Sequence, residues 1–565
     1  MKIEKLELSN YRCFPKVSLK LKPSGIIVGE NNIGKSTLLN ALQLAASLPI
    51  NSQFPVEYWP DSDPGVELSL GAEFVFGAEE MEKIAYDADF SEGASGRLSG
   101  EEFTRRFGNQ AILNAIWNRP NESSRSTLKI FRPGITSDID YNLGGYSSNQ
   151  GRLRFGQQTL IALRTVMLNA LIFVPEFRQR PQASADEVFR APQGTLVTAV
   201  LFSLKNGTRE QQIRYHQIKD HFSRVFPTLK MELTRAGGPP RIMIENSRTL
   251  HEVPLDTLGA GIAEMIIILT HVEGETGKVF LIDEPELHLH PHSQRLLRRV
   301  LEEAVPDNQV IMVTHSSHFI DLRHIERIIL VRQHDGKSQV VNVQEGSFSE
   351  DEERRISRIA QSEEKELLFA RRVLLVEGPT EYGAMPILAR KIGRDFDENG
   401  VSVVSVGGNY FGLFLKLLHA YSLPWKVMCD RDVLMTISGK IRLNDQELKT
   451  SQFFQAIMGL QPLREDELKL LSEAQSHIIS RDHTEVYQDQ LFDRINALAA
   501  SHSFHVISPD FEGFMGLNGC EELLREGQLM FGKNKVLQGR FVAEEVTNVP
   551  QELRKVISEV TPDIT

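Results

Sequence analysis

Apolar and polar residues alternate over 3–8 (IEKLEL) and 17–21 (VSLKL), the two-residue period of strands with one buried face. Residues 26–28 form a short apolar run opening onto a Gly-rich turn, and the pattern over 36–46 predicts a helix. Two later runs, 279–282 and 310–313, are apolar throughout, as in parallel-sheet strands buried on both faces. Each ends in polar residues, where ligands of such sheets sit. Between them and the first helix, about 50–245 mixes short strand patterns with Gly-, Ser- and Asn-rich stretches and offers no motif that can be placed. Residues 346–366 (GSFSEDEERRISRIAQSEEKE) are dense in charge and predict a solvated helical connector. Beyond it a second strand–turn–helix begins at Val373, with further apolar runs at 403–406, ending Gly407-Gly408, and at 425–428. There is no internal repeat and no sustained heptad.

Length and composition set bounds on this pattern. A chain of 565 residues exceeds what one core supports, so two or more domains are expected. With 41% hydrophobic and 24% charged residues it has a globular composition. A formal charge of −12 argues against a nonspecific nucleic-acid coat, although a local basic channel can coexist with an acidic whole. Three scattered cysteines (Cys13, Cys429, Cys520) give neither a disulfide framework nor a zinc pair, which fits a reducing cytosol. The first residues, MKIEKLELSNYRCF, hold no signal-like run, and the most apolar stretch, 265–269, is too short to span a bilayer. A cytoplasmic protein without membrane contact is expected.

The first chemical site is a nucleotide site. Gly29-Glu30-Asn31-Asn32-Ile33-Gly34-Lys35-Ser36 fits G-x-x-x-x-G-K-[ST], with a strand before it and a helix after it. Its glycines let backbone amides close around phosphate, and the helix N-terminus adds partial positive charge. Asn31, Asn32, Gly34, Lys35, Ser36 and Thr37 are the expected ATP contacts, with Lys35 on the β/γ-phosphates and Ser36 on Mg²⁺. In Val279-Phe280-Leu281-Ile282-Asp283-Glu284, four apolar residues run into two acids: Asp283 to hold Mg²⁺, Glu284 to position or deprotonate the attacking water. The following strand ends Thr314-His315, and His315 is expected to contact the γ-phosphate. His288, His290 and His292 invite a metal reading, but Pro291 breaks their spacing and no cysteine is near. An interfacial role is expected of them.

A second site collects carboxylates. Val373-Leu374-Leu375-Val376-Glu377-Gly378-Pro379-Thr380-Glu381 is a buried strand ending in Glu, then a second Glu opening a helix. The 425–428 strand leads to Cys429-Asp430-Arg431-Asp432. Four carboxylates at one sheet edge repel, each pair by roughly 4 kcal/mol at 4 Å and an effective dielectric of about 20. Divalent cations remove that cost, and an all-oxygen set suits Mg²⁺ or Mn²⁺. A later strand, Val506-Ile507-Ser508-Pro509-Asp510-Phe511-Glu512, again ends in acids.

Asn10-Tyr11-Arg12, the phosphate loop and Asp283-Glu284-Pro285-Glu286 resemble the ABC ATPases of the SMC, Rad50 and RecF-like branch. That resemblance implies two heads sandwiching ATP, with Arg12 as a nucleotide contact. It also implies a signature segment lent in trans, for which Leu258-Gly259-Ala260-Gly261 is the candidate, with Gly259 and Gly261 contacting nucleotide; the usual serine is missing. The carboxylate set resembles Toprim domains, and an ABC ATPase followed by Toprim resembles the overcoming-lysogenisation-defect (OLD) nucleases, which include Gabija and some retron-associated members. The implied fold is α/β: an ATPase head over 1–345 with a helical insertion or dimerisation region in about 50–245, a charged linker over 346–369, and a Toprim domain with a C-terminal helical extension over 370–565. The resemblance further implies Asp510, ahead of Glu512, as an additional metal ligand and Lys535, ahead of Lys533, as the charge that stabilises the cleaved phosphate. It implies an ATP-regulated, metal-dependent DNA endonuclease in anti-phage defence, homo-oligomeric as dimer or tetramer, with a UvrD-like helicase or another defence protein as partner. The competing readings are a RecF- or SMC-like repair ATPase without nuclease activity and a strand-passage or primase Toprim enzyme. No coiled coil or additional nucleophilic tyrosine domain supports them.

Overall fold

The computed structural model describes residues 1–47, 58, 66–87, 99–107, 109–117, 125–131, 140–142, 157–176, 197–235, 239–360, 362–407, 410–443, 446–476, 478 and 490–562. Much of the motif-poor 50–245 stretch, and Gly408, lie outside these. The chain divides into two compact units, Met1–Ile320 with Glu326–Asn342, and Asp321–Ile325 with Val343–Thr565.

The first unit has two main sheets. β1 (Lys2–Tyr11) buries alternate residues, as its period demands, and pairs antiparallel with Phe14–Lys20 and Leu68–Val75 in a six-stranded sheet. Three of that sheet's other strands, Gln110–Trp117, Arg125–Phe131 and Asp140–Asn142, also come from the motif-poor region, which supplies helices as well (Val197–Asn206, Arg209–Val225). The second sheet carries the phosphate-loop strand β2 (Ser24–Val28) at its middle. Helix α1 (Lys35–Ala46) follows the loop, and its Leu38, Leu42 and Ala45 share one core with Leu6 and Leu8 of the first sheet and Ile27 and Leu281 of the second. α1 is therefore the layer between the sheets. β3 (Leu171–Val174) forms one edge of the second sheet. Helix α2 (Ala260–Gly274), apolar around nearly its whole circumference, leads into β4 (Val279–Asp283), and β5 (Gln309–Val313) follows. β2, β5, β4 and β3 are parallel neighbours, and every residue of β2, β4 and β5 is buried. This is the continuous apolar run expected of strands covered on both faces.

The second unit is built on a four-stranded parallel sheet. Its strands are β6 (Arg372–Val376), β7 (Val401–Ser405), β8 (Trp425–Asp430) and β9 (Phe504–Ile507), in the order β7-β6-β8-β9. Helix α3 (Pro379–Lys391) follows β6, with Pro379 at its first turn, where a missing N–H costs nothing. α4 (Phe511–Met515) follows β9, and α5 (Lys535–Glu545) packs against α3. That contact is close enough to require glycine on both helices: a Cβ at Gly383 would lie 2.3 Å from the Val536 carbonyl oxygen, and one at Gly539 2.1 Å from that of Thr380. The charged 346–369 stretch belongs to this unit. Its helix Glu350–Ile359 opens with a Ser349–Glu352 capping box, Glu352 pairs with Lys416, and Ile356, Leu367 and Leu368 are buried. Among the described residues no helix is long and apolar enough to cross a membrane.

Candidate functional site: a phosphate cleft and a carboxylate edge

Two conformational demands shape the phosphate loop. Gly29 (φ 142°) and Gly34 (φ 101°) hold backbone angles that side chains rarely adopt, and a Cβ at Gly34 would meet Cys13 Sγ at 2.4 Å. A cavity of about 770 Å³ opens beside the loop, lined by Arg12, Cys13, Asn31, Asn32, Gly34, Lys35, Ser36, Thr37, Glu176, Glu284 and His315. Every expected phosphate-loop contact thus lines one cleft. Asp283 ends β4 beneath it and accepts a 3.3 Å hydrogen bond from Ser36 Oγ, the pairing expected of two groups that share a cation with nucleotide phosphate. Arg12 stands over the ring of Tyr58, 4.4 Å from its centroid.

The cleft's charges are tuned by burial. Lys35 is 5% exposed and donates to the Glu30 carbonyl of its own loop; burial lowers its ammonium to about 8, against the pull of Glu284 and Asp283. Burial raises the Glu284 carboxyl, and the negative charges of Glu176 and Glu286 push it further up. His315 lies 3.5 Å from Glu284, and burial together with Lys35 lowers its imidazole to about 4. A neutral imidazole beside a carboxyl can accept or donate a hydrogen bond without adding charge. Glu286, deeply buried and raised by that burial, accepts the backbone N–H of His315.

Sequence reasoning passed over Glu176. It follows β3 as Leu-Ile-Phe-Val-Pro-Glu, the same apolar run into an acid that marks β4, but within a stretch that carries no other motif. Gly259 and Gly261, the candidate signature glycines, do not line this cleft; Gly259 caps α2 and Gly261 packs against the His288 carbonyl.

In the second unit the carboxyl ends of the parallel strands bring the acids to one edge. Glu377 leaves β6, and its Oε2 accepts the Asp430 N–H at 3.1 Å, joining the two central strand ends. Glu381 lies in the first turn of α3, Asp432 opens the short helix Asp432–Met435, and Asp510 caps α4 by accepting from Gly513 N at 2.7 Å. Burial pushes the Asp430 carboxyl up to about 9, helped by the charges of Glu377, Glu381, Asp510 and Asp432. Burial likewise raises Glu381 to about 7, with Glu512 and Asp510 adding to it against hydrogen bonds from the backbone. Burial also raises the Cys429 thiol, and all four of Glu377, Asp430, Asp432 and Glu381 contribute.

Glu512 differs from its neighbours. Burial works against its charge, but hydrogen bonds from Lys535 Nζ and Thr380 Oγ1, both 2.9 Å, outweigh it and hold the carboxyl below its usual range. Lys535 is thereby brought to the carboxylate edge, which the sequence alone reached only by resemblance. Thr380 was not singled out beforehand; it is buried at 4% exposure within the E-G-x-x-E turn.

The donor set fits a hard divalent cation, since carboxylate oxygens provide every candidate ligand. Among the described residues no three acids are arranged to hold one ion as they stand. A bound cation would favour the ionised forms of Asp430 and Glu381, whose carboxyls burial raises without one.

A phosphate-loop ATPase head and a carboxylate-edged parallel sheet in one chain define the class. Residues 1–136 and 183–320 match the AAA ATPase domain, and residues 368–432 match the Toprim domain of overcoming lysogenization defect protein-like proteins. The OLD nuclease of Thermus scotoductus is 25% identical over 459 residues, covering 76% of this chain and 82% of that protein. Endonuclease GajA of Bacillus cereus is 28% identical over 160 residues, 27% of this chain and 26% of that one. An SMC head domain solved with the C-winged helix domain of ScpA aligns with a TM-score of 0.38 and 13% identity over 61% of this chain and 98% of its own. The chain thus carries an ATPase domain followed by an OLD-like Toprim domain, and is similar in sequence to OLD nucleases.

Proposed function

We propose that the protein is an ATP-regulated, divalent-metal-dependent DNA endonuclease acting in defence against phage. The observation that carries this reading is the gathering of Glu377, Glu381, Asp430, Asp432 and Asp510 where the parallel strands of the second unit end, with Glu377 Oε2 accepting the Asp430 N–H and burial raising Asp430 and Glu381. A structural role does not call for such a cluster, whereas bound Mg²⁺ or Mn²⁺ would neutralise it, polarise a phosphodiester and supply an activated water. Glu377, Glu381, Asp430, Asp432 and Asp510 would hold the metal, with Glu512 serving to orient Lys535. Lys535, standing on Glu512, would turn its charge toward the phosphate as negative charge builds on it, and Thr380 would keep Glu512 in place. In the head, Lys35 and the loop amides would bind ATP phosphates, Ser36 and Asp283 would hold Mg²⁺, and Glu284 with His315 would orient the attacking water.

Gly259 and Gly261 stand away from their own head's cleft, which supports their use in trans and hence a homo-oligomer. Defence against phage and a helicase-like partner rest on the family resemblance, and a cytoplasmic location on the scattered cysteines and the absence of a signal-like run in the first residues. The test is supercoiled plasmid incubated with Mg²⁺ or Mn²⁺, with and without ATP. Nicked or linear product supports the nuclease, relaxed closed circles would indicate strand passage, and unchanged plasmid would indicate a DNA-tethering ATPase.

A further inference from the structure

The Glu286–His292 segment was set aside as a metal site, and the ATPase reading leaves its histidines without a task. His288 has one. It occupies the left-handed region (φ 55°), and its Nδ1 lies 3.0 Å from Glu264 Oε1. Glu264 is a 6%-exposed carboxyl on the otherwise apolar helix α2, so its burial there calls for a partner. One turn earlier on the same helix, a Cβ at Gly261 would lie 2.3 Å from the His288 carbonyl oxygen. Side chain and backbone of a single residue are therefore both gripped by the helix that begins at the signature-like segment.

From Leu289, the next residue in the chain after His288, a run of hydrogen bonds reaches the Glu284–His315 centre. Leu289 N donates to Glu286 O at 3.1 Å, and Gln294 Nε2 donates to Leu289 O at 2.9 Å. Gln294 Oε1 accepts from Ser316 Oγ at 2.6 Å. Glu286 holds the His315 N–H, and His315 faces Glu284 in the cleft. The signature-like end of α2 and the Glu284–His315 centre are thus joined within one head.

We propose that Glu264 and His288 form a positioning pair that ties the signature-like segment of a head to the hydrolytic centre of that same head. The proposal rests on the two-headed ATPase reading. In it, engagement of the partner's nucleotide by Gly259–Gly261 is passed to Glu284 and His315, so the two ATP sites of a dimer fire together. Neither Glu264 nor His288 touches nucleotide in this scheme.

The experiment compares wild type, His288→Ala, His288→Asn, Glu264→Ala and the double alanine variant. Steady-state ATP hydrolysis, binding of a fluorescent ATP analogue and thermal melting are measured for each. His288 is 59% exposed, so its alanine variant keeps the test alive if Glu264→Ala melts early. His288→Ala is expected to lower kcat about fivefold or more while analogue affinity stays within about twofold. Asparagine tolerates the left-handed backbone and can donate to Glu264, so His288→Asn should retain most of kcat. The double variant should be no slower than the slower single one. Unchanged kcat in His288→Ala, equal losses in the alanine and asparagine variants, additive losses, or a loss confined to analogue affinity would each overturn the pairing. If wild type neither binds the analogue nor hydrolyses ATP, the ATPase reading falls and takes the pair with it, and the wild-type measurement alone shows this.

Discussion

Loading the carboxylate edge with metal should expel protons, in an amount that follows from two groups. Asp430, at about 9, is almost fully protonated at neutral pH, and Glu381, at about 7, is half protonated. Saturating the cation-free protein with Mn²⁺ should therefore release about 1.5 protons per site at pH 7 and about 1 at pH 8. The apparent affinity should rise about 15-fold across that interval. The same groups set the sign of a stability effect. Their folded values lie above the ordinary carboxylate range, so between about pH 4 and 9 the native state binds more protons than the unfolded one. Without metal, stability should fall as pH rises through that window, and Asp430→Asn should flatten the slope. Calorimetric titration of Mn²⁺ in buffers of different ionisation enthalpy counts the protons directly. For Asp430→Asn at pH 7 the count should fall to about 0.5, the share of Glu381. Binding that releases fewer than about 0.3 protons, with an affinity independent of pH, would refute the assignment of these acids as the cation's ligands.

Three further outcomes follow from other contacts. Burial lowers Lys35 to about 8, so stability should rise with pH between about 8 and the ordinary lysine value, and ATP phosphates should restore the proton. Calorimetry at pH 8.5 should show uptake of about 0.75 proton on ATP binding, against about 0.1 at pH 7; no uptake at the higher pH would contradict the buried lysine. Gly539→Ala forces a Cβ to 2.1 Å from the Thr380 carbonyl and should cost about 1–3 kcal/mol in melting experiments. Gly459→Ala, in a helix with nothing within 4 Å, should not destabilise at all. Lys535→Ala should slow DNA cleavage by about 10²–10³-fold while leaving Mn²⁺ affinity within a few-fold, as measured by single-turnover cleavage and titration.

The parts of the fold legible in the sequence are those whose residues must be apolar without interruption or must be glycine. β4 and β5 are buried at every position, and Gly29 and Gly34 hold backbone angles that other residues avoid, so both leave a local signature. The motif-poor 50–245 stretch left none, because its strands Leu68–Val75 and Gln110–Trp117 complete a sheet begun at β1, and their partners are far away in sequence. The site shows the same division. Glu377, Asp430 and Asp283 end apolar strands and could be found locally. Glu176 ends an edge strand among residues with no other signal, and Thr380 acquires its role only when α4 brings Glu512 to 2.9 Å. The Glu264–His288 contact joins positions 24 apart that no spacing rule connects. The Lys535–Glu512 contact likewise depends on Gly383 and Gly539 seating α5 on α3.

Cleavage of supercoiled plasmid in Mn²⁺ by equally folded wild type and Glu377→Ala, each with and without ATP, bears most directly on whether the carboxylate edge cuts DNA under control of the head. Wild type should convert the plasmid to nicked or linear form at a rate that ATP alters, and Glu377→Ala should be slower by about 10²-fold or more whether or not ATP is present. Cleavage by Glu377→Ala at the wild-type rate, or an intact plasmid with wild type in every condition, would contradict it.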